Sequence, residues 1–455
     1  MPEALAEPAL HQLPIEILAY IFWLSRLDRH GKVSNTRRAG PLVLTRVCRH
    51  WKTITDSDPK LWSNITIQLG AFGCTPRLPL ICLHLDRSRN HALDIRISLR
   101  DDLEDYQEVD QSVMSGVLHE LLREAPRWEI VDITLPLRMV GSYVDITWDD
   151  IGLKASPEMG CLRSFRMCID GHGLVPRVFE DVLRASRLEN LHWGSHQRID
   201  LSLAKAVDWS TMRELYLDAP ISVAEVMEIL ASTPKVSRAE FLDISSSGPN
   251  VQTAAEDRST LQSLSHLTIA GKAKLSHLLS KIAAPSLRSF SIRVKEGPTF
   301  SDPESFHHLR DFLVSCSATL SFLDLSEVSL QQANLISLLE LLPLVQELSI
   351  YESGAPVISD LFIKALTEVM VAPLCPRLVS LRLLGNVDST DGRLGQLLRR
   401  RSKPFAIQGE EGQSVAALKT VQVEFGAQHN ACSIDFAIAQ EVRKLGMNIR
   451  LFSSG

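Results

Sequence analysis

One short pattern recurs along most of the chain: an apolar residue, two variable positions, an apolar residue, one variable position, and a third apolar residue. It is clearest at LRSFRM (Leu162, Phe165, Met167), LENLHW (Leu188, Leu191, Trp193) and MRELYL (Met212, Leu215, Leu217). It returns at LSHLTI (Leu264), LRSFSI (Leu287), LSFLDL (Leu320), VQELSI (Val345), LVSLRL (Leu378) and LKTVQV (Leu418), with weaker copies at ALDIRI (Ala92), WEIVDI (Trp128) and VSRAEF (Val236). The alternation within each run predicts a half-buried strand. Between copies the apolar period lengthens to that of a helix, over Val113–Ala125, Val223–Ala231, Lys274–Ala283, Phe306–Val314, Asn334–Leu342 and Leu361–Val371. Stop prolines follow several of these stretches, at Pro126, Pro234, Pro285, Pro343 and Pro373.

From Leu162 the steps between successive copies are 26, 24, 24, 28, 23, 33, 25, 33 and 40 residues. Steps in the twenties with one strand per copy resemble leucine-rich repeats, over roughly Ala92 to Phe425. That resemblance implies a curved solenoid, with parallel strands on the concave face and helices outside. The family's Asn or Cys eight positions after the first apolar residue is present only at Asn386; Asp170, His196, Pro220 and Lys272 stand there in other copies. Strand–helix alternation also fits an α/β domain with a parallel sheet. The short steps and many copies favour the solenoid, because a single repeat cannot bury its own apolar face. Ser402–Gln413 is polar and predicts a loop, and Ser433–Leu445 predicts a closing helix.

The stretch from Leu13 to Ile67 stands outside the repeats. Pro14 suits the first turn of a helix, and Ile17, Leu18, Ile21 and Phe22 recur as one apolar stripe. A second helix is predicted from Pro41, with Leu44, Val47, Cys48, Trp51 and Ile54 on one face, stopped by Asp58-Pro59. Leu61-Trp62 and the alternating Ile65 and Ile67 follow.

LPIEIL with IF, then VCRHW, then LW, in that order, resembles an F-box, the module that docks on the Skp-type adaptor of cullin–RING ubiquitin ligases. Twenty-four residues separate Phe22 from Val47, a longer spacer than the family usually carries, and its HGKVSNTRRAG segment predicts a polar loop over His30–Gly40. The resemblance implies that Leu13, Pro14, Ile17, Leu18, Ile21, Phe22, Val47, Cys48, Trp51, Leu61 and Trp62 carry adaptor docking. The competing account is a plain helical cap whose apolar groups seal the repeat array. The fold expectation is α/β: an N-terminal tail over 1–12, an F-box-like helical module over 13–67, and a repeat solenoid with its cap over 68–455.

Composition narrows the function classes. A formal net charge of −6 and a pI near 6.2 give no general attraction to nucleic acid or anionic membrane. The start, MPEALAEPALHQ, has acidic residues where a signal peptide needs basic and apolar ones, and the most apolar run, Leu335–Val345, is interrupted by Glu340 and Pro343. An intracellular protein is expected, in cytoplasm, nucleus or both. Of the eight cysteines the closest pairs are Cys74 with Cys82 and Cys161 with Cys168, neither at the spacing of a zinc or redox site. Cys48 reads as a small core residue.

Catalytic patterns are missing from the sequence. Gly171-His172-Gly173 does not extend into a phosphate loop. His192 and His196 flank a strand end, where a four-residue spacing does not bring two ligands together. Arg399-Arg400-Arg401 with Lys403 reads as cations at a helix end, with a nuclear address as the other possibility. Asp101-Asp102 and Asp149-Asp150 come with no partner base or nucleophile and read as solvated loops. No enzyme activity, cofactor or metal is expected.

What remains is a surface. In each strand the third, fifth and seventh positions of the pattern face away from the buried fourth and sixth. Arg166, His192, Tyr216 and Glu240 then occupy equivalent positions in four successive copies, with Arg293, Phe322, Asp324, Tyr351 and Arg382 farther along. Such a strip suits a protein or peptide target. The two resemblances together imply a substrate receptor that joins a Skp-type adaptor and cullin ligase subunits to a protein substrate. A leucine-rich-repeat scaffold or inhibitor acting outside any ligase is the alternative, and an α/β enzyme is the weakest reading.

Overall fold

The computed structural model describes residues 13–25, 40–69, 77–99, 111–136, 146–170, 177–195, 208–245, 258–295, 300–353, 358–367, 374–406, 414–425 and 433–453. The loop expected at His30–Gly40 lies outside these residues except for Gly40, and so do Cys74, Asp101-Asp102, Gly171-His172-Gly173, His196 and the 407–413 part of the C-terminal polar loop. The chain divides into two compact units, Met1–Met212 and Arg213–Gly455.

The first unit begins with helix α1 (Ile15–Ser25), a single turn α2 (Pro41–Leu44) and α3 (Arg49–Ser57). The expected continuous helix from Pro41 is therefore two pieces. Cys48 is extended, at φ −156°, and its Sγ accepts the Trp51 N–H at 3.4 Å, so it caps α3 instead of filling a helical core position. Asp58 caps the 3₁₀ turn Pro59–Leu61 by accepting the Lys60 N–H. Strands β1 (Asn64–Leu69), β2 (Leu93–Leu99), β3 (Trp128–Pro136), β4 (Ser164–Asp170) and β5 (Asn190–Gly194) then pair in that order, all parallel. Helices α4 (Leu78–Ser88) and α5 (Gln111–Arg123) sit in the first two crossovers; α4 has no counterpart among the sequence expectations. β1 crosses the expected 67/68 boundary, so the sheet starts directly from the helical module's chain.

The second unit alternates strands and helices. It contains β6 (Glu214–Asp218), α6 (Val223–Ser232), β7 (Arg238–Ser245), β8 (His266–Gly271), α7 (Leu275–Lys281), β9 (Ser289–Val294), α8 (Pro303–Cys316) and β10 (Phe322–Ser326). It continues with α9 (Gln332–Glu340), β11 (Glu347–Glu352), α10 (Asp360–Thr367), β12 (Ser380–Asp388), α11 (Arg393–Arg400), β13 (Thr420–Phe425), α12 (Ser433–Arg443) and β14 (Asn448–Ser453). The nine strands pair in chain order, each parallel to the next. Consecutive helices from α6 to α12 touch one another and so form one layer. They cover the face on which Leu215, Leu323, Leu348, Leu381 and Val421 are buried, while the alternate strand positions remain open or half-open. A mixed α/β fold built on a large parallel sheet is what the sequence led us to expect. Among the described residues no helix is long and apolar enough to cross a membrane.

Local sequence accounts for several element ends. Ser222 and Glu225 form a reciprocal capping box on α6, and Asp302 caps α8, where Pro303 takes the first position. Gly385 has φ +92°, and a Cβ there would stand 1.9 Å from the Glu352 carbonyl oxygen, so only glycine lets β12 approach β11 at that point. Two expectations need correction. The helix at Lys274–Ala283 ends at Lys281, because Ile282–Ala283 turns extended and pairs with Ser259–Thr260. The helix at Ser433 does not close the unit: β14 follows it and forms the sheet's last strand. Arg399, Arg400 and Arg401 stand at the end of α11, and Arg401 is fully buried there.

A buried carboxyl sits where β10 leads into α9. Glu352 is 5% exposed and accepts the Ser329 N–H at 2.7 Å, while Glu327 accepts the Ser353 N–H at 3.1 Å. Glu327 and Ser329 hold left-handed backbone, at φ 55° and 52°. Burial, with the Glu327 charge adding, pushes the Glu352 carboxyl up from 4.5 to about 7 against the pull of the Ser329 N–H. Between those pH values the folded chain holds a proton that the unfolded chain has lost. Its contribution is therefore complete below about 4.5 and is lost as pH rises through 7. Glu352→Gln keeps an acceptor for Ser329 and removes the ionisation cost. It should stabilise the protein by about 2–3 kcal/mol at mildly alkaline pH and leave it unchanged near pH 4. Urea midpoints at the two pH values check this; an equal shift at both contradicts it.

Candidate protein-docking surfaces

α1 has two apolar faces. Leu18 and Phe22 point inward and pack with Leu44, Ile54, Leu61 and Trp62 into a small closed core. Trp62 is fully buried and donates its Nε1–H to the Thr55 carbonyl at 2.7 Å, and Phe22 meets Trp51 with ring centroids 4.7 Å apart. Leu13 and Trp51 are half-buried against this core. Ile17 and Ile21, expected on the same stripe as Leu18 and Phe22, lie on the other face, 47% and 39% exposed. Tyr20 and Leu24 continue that face, and Ile15 is also open. Of the eleven residues predicted for docking, Pro14, Ile17, Ile21 and Val47 are exposed, Leu13, Cys48 and Trp51 are partly so, and Leu18, Phe22, Leu61 and Trp62 are buried. The spacing of positions 17, 20, 21 and 24 carried the signal for Tyr20 and Leu24, which the F-box resemblance alone did not single out.

On the sheet face of the first unit, register aligns Thr66, Arg96, Asp132, Arg166 and His192 across β1 to β5. The charges in this row are largely occupied with one another. Arg166 Nε lies 3.6 Å from Asp132 Oδ1, and Arg96 bonds Asp94 at 3.2 Å. Burial raises the Asp132 carboxyl, while Arg166 and Arg96 pull it down. Burial, helped by the Arg166 charge, lowers His192 to about 4, so its imidazole is neutral at physiological pH; its Nε2 lies 3.9 Å from Cys168 Sγ.

In the second unit Tyr216 stands opposite Glu240, whose carboxylate takes the Arg238 guanidinium at 2.7 Å. Arg166 and His192 are thus in register in the first unit and Tyr216 and Glu240 in the second, and Arg166 and Glu240 already have charged partners. Asp324 accepts the Ser291 hydroxyl at 2.8 Å. Tyr351 is 37% exposed, and Phe322 is partly open. The outward side of β14 adds Arg450 and Phe452, neither legible as a strand residue beforehand.

No protein-family model matches the chain, and no curated protein matches it. Among the described residues no group of three or more His, Cys, Asp or Glu could hold a metal ion. Asp150 accepts the Thr147 N–H and hydroxyl, both at 2.8 Å, which makes it a turn-forming residue.

Proposed function

We propose that the chain is a substrate receptor: the helical module docks a Skp-type adaptor of a cullin ubiquitin ligase, and the repeat-built sheet holds the protein to be modified. The observation that carries this reading is the outward face of α1, where Ile17, Tyr20, Ile21 and Leu24 stay open although Leu18 and Phe22 already supply the module's own core. Contiguous apolar side chains left in water on so small a module mark an interaction site, and they fall within the segment that resembles the F-box. The open strand face supplies a second, separate surface, as leucine-rich-repeat arrays do. Ubiquitin transfer would be catalysed by other subunits, with this chain contributing proximity and orientation.

The test is direct. The tagged chain should form a stoichiometric complex with purified Skp-type adaptor on size exclusion, and should bring down cullin when both are present. Absence of a complex leaves a repeat scaffold acting outside any ligase as the better reading.

A further inference from the structure

The arginines on the outward side of the sheet divide into paired and unpaired ones; Arg293 of β9, exposed and without a carboxylate partner among the described residues, lies in a different row from Arg382 and Arg450. Arg96, Arg163, Arg166 and Arg238 each have a carboxylate within 4 Å. Arg382 on β12 and Arg450 on β14 are exposed, and among the described residues neither has a carboxylate partner. Register places both in one row, Ser349–Arg382–Gln422–Arg450, with Gln422 of β13 between them. We infer that this row binds an acidic protein segment whose two carboxylate side chains are three residues apart, lying across the strands.

The spacing sets the ligand. Two strand intervals separate the arginine Cα atoms by about 9.6 Å, and three residues of polyproline II chain span about 9.3 Å and return the side chain to the same face. Each guanidinium can then take one carboxylate by a bidentate pair, while the Gln422 amide faces the backbone between them. Tyr351 and Phe452 stand one row farther along their strands, each 37% exposed, and offer apolar bodies beside the charged row. Glu347 and Glu424 flank the row on its two sides, at the levels of Ser380 and Phe452. They repel a carboxylate that is out of register and so confine it to the arginines. The inference rests on the reading that the sheet face holds the target; it does not depend on adaptor docking.

Fluorescein-labelled peptides of about twelve residues, with serine and alanine around two glutamates one to five positions apart, test it on the full-length chain by anisotropy. Binding should be tightest at the i, i+3 spacing and weaken with added salt. Arg382→Gln with Arg450→Gln should reduce it about tenfold or more, whereas Arg238→Gln should change it little. Affinity independent of glutamate spacing, no binding by any peptide, or undiminished binding by the double variant each overturns the inference. The same double variant is mixed with the Skp-type adaptor. Retained adaptor binding with unchanged peptide binding rejects the acidic-segment site alone and leaves the receptor function standing.

Discussion

Replacing Ile17 and Ile21 together with aspartate should abolish recovery of the Skp-type adaptor while leaving the protein folded. Both side chains point away from the core of Leu18, Phe22, Leu44, Ile54, Leu61 and Trp62, so that core is untouched. Exposed substitutions usually stay within about half a kcal/mol, and aspartate inside a helix costs roughly 0.7 kcal/mol at most. At an interface the effect is far larger. Each large aliphatic side chain contributes about 1.5–3 kcal/mol on burial, and an unpaired carboxylate in its place adds a desolvation penalty of several kcal/mol. A loss of at least about a hundredfold in affinity follows. Leu18→Ala or Trp62→Ala should behave differently, lowering stability by about 3–5 kcal/mol because each empties a filled core position. Adaptor titration by calorimetry, read beside the thermal melt, separates the two behaviours. A double aspartate variant that still binds the adaptor at full strength removes the α1 face from the proposal.

Arg401→Met should lower stability by about 3–5 kcal/mol, which is about 10 °C in melting temperature for a unit of this size. The guanidinium of Arg401 is fully buried at the end of α11 and donates to three backbone carbonyls. These are Leu366 at 3.2 Å, Leu374 at 2.6 Å and Cys375 at 2.9 Å. Leu366 lies in the last turn of α10, whose terminal carbonyls have no helical donors of their own. One side chain therefore ties the end of α10 and the turn after it to α11. Burial lowers its pKa to about 10, which leaves it charged at neutral pH. Methionine fills much of the volume but takes the Arg401 donor from the Leu366 and Leu374 carbonyls in a buried site, each loss costing about 1–3 kcal/mol, while the Cys375 carbonyl keeps the Leu378 N–H at 3.1 Å. Arg400→Met is the control: Arg400 is exposed and lies 4.3 Å over the Phe405 ring, a contact of about 0.5–1 kcal/mol. Equal melting temperatures for the two variants would remove the lock from Arg401.

The two arginines stand side by side in the same basic run; helical spacing puts Arg401 on the stripe of Leu394, Leu397 and Leu398 and Arg400 off it, but residue type alone does not separate them. The chain's sequence determined by itself which runs alternate, and therefore that Phe165 and Met167, or Leu348 and Ile350, face the core while their neighbours do not. It also set the starts of α6 and α8, because Ser222 with Glu225 and Asp302 with Pro303 act within one turn. Periodicity of this kind is a property of a few consecutive residues, and it survives without any knowledge of the partner. Pairing across 20 to 40 residues is different. Whether Ile17 or Leu18 turns inward depended on where Leu61 and Trp62 come to rest. Asn448–Ser453 became a strand because β13 offered it an edge, and Arg401 went inside because the carbonyls of Leu366, Leu374 and Cys375 converge on its guanidinium. Only the tertiary register neutralised Arg166 against Asp132 and left Arg382 and Arg450 without such partners, since an ion pair is decided by which strands lie side by side.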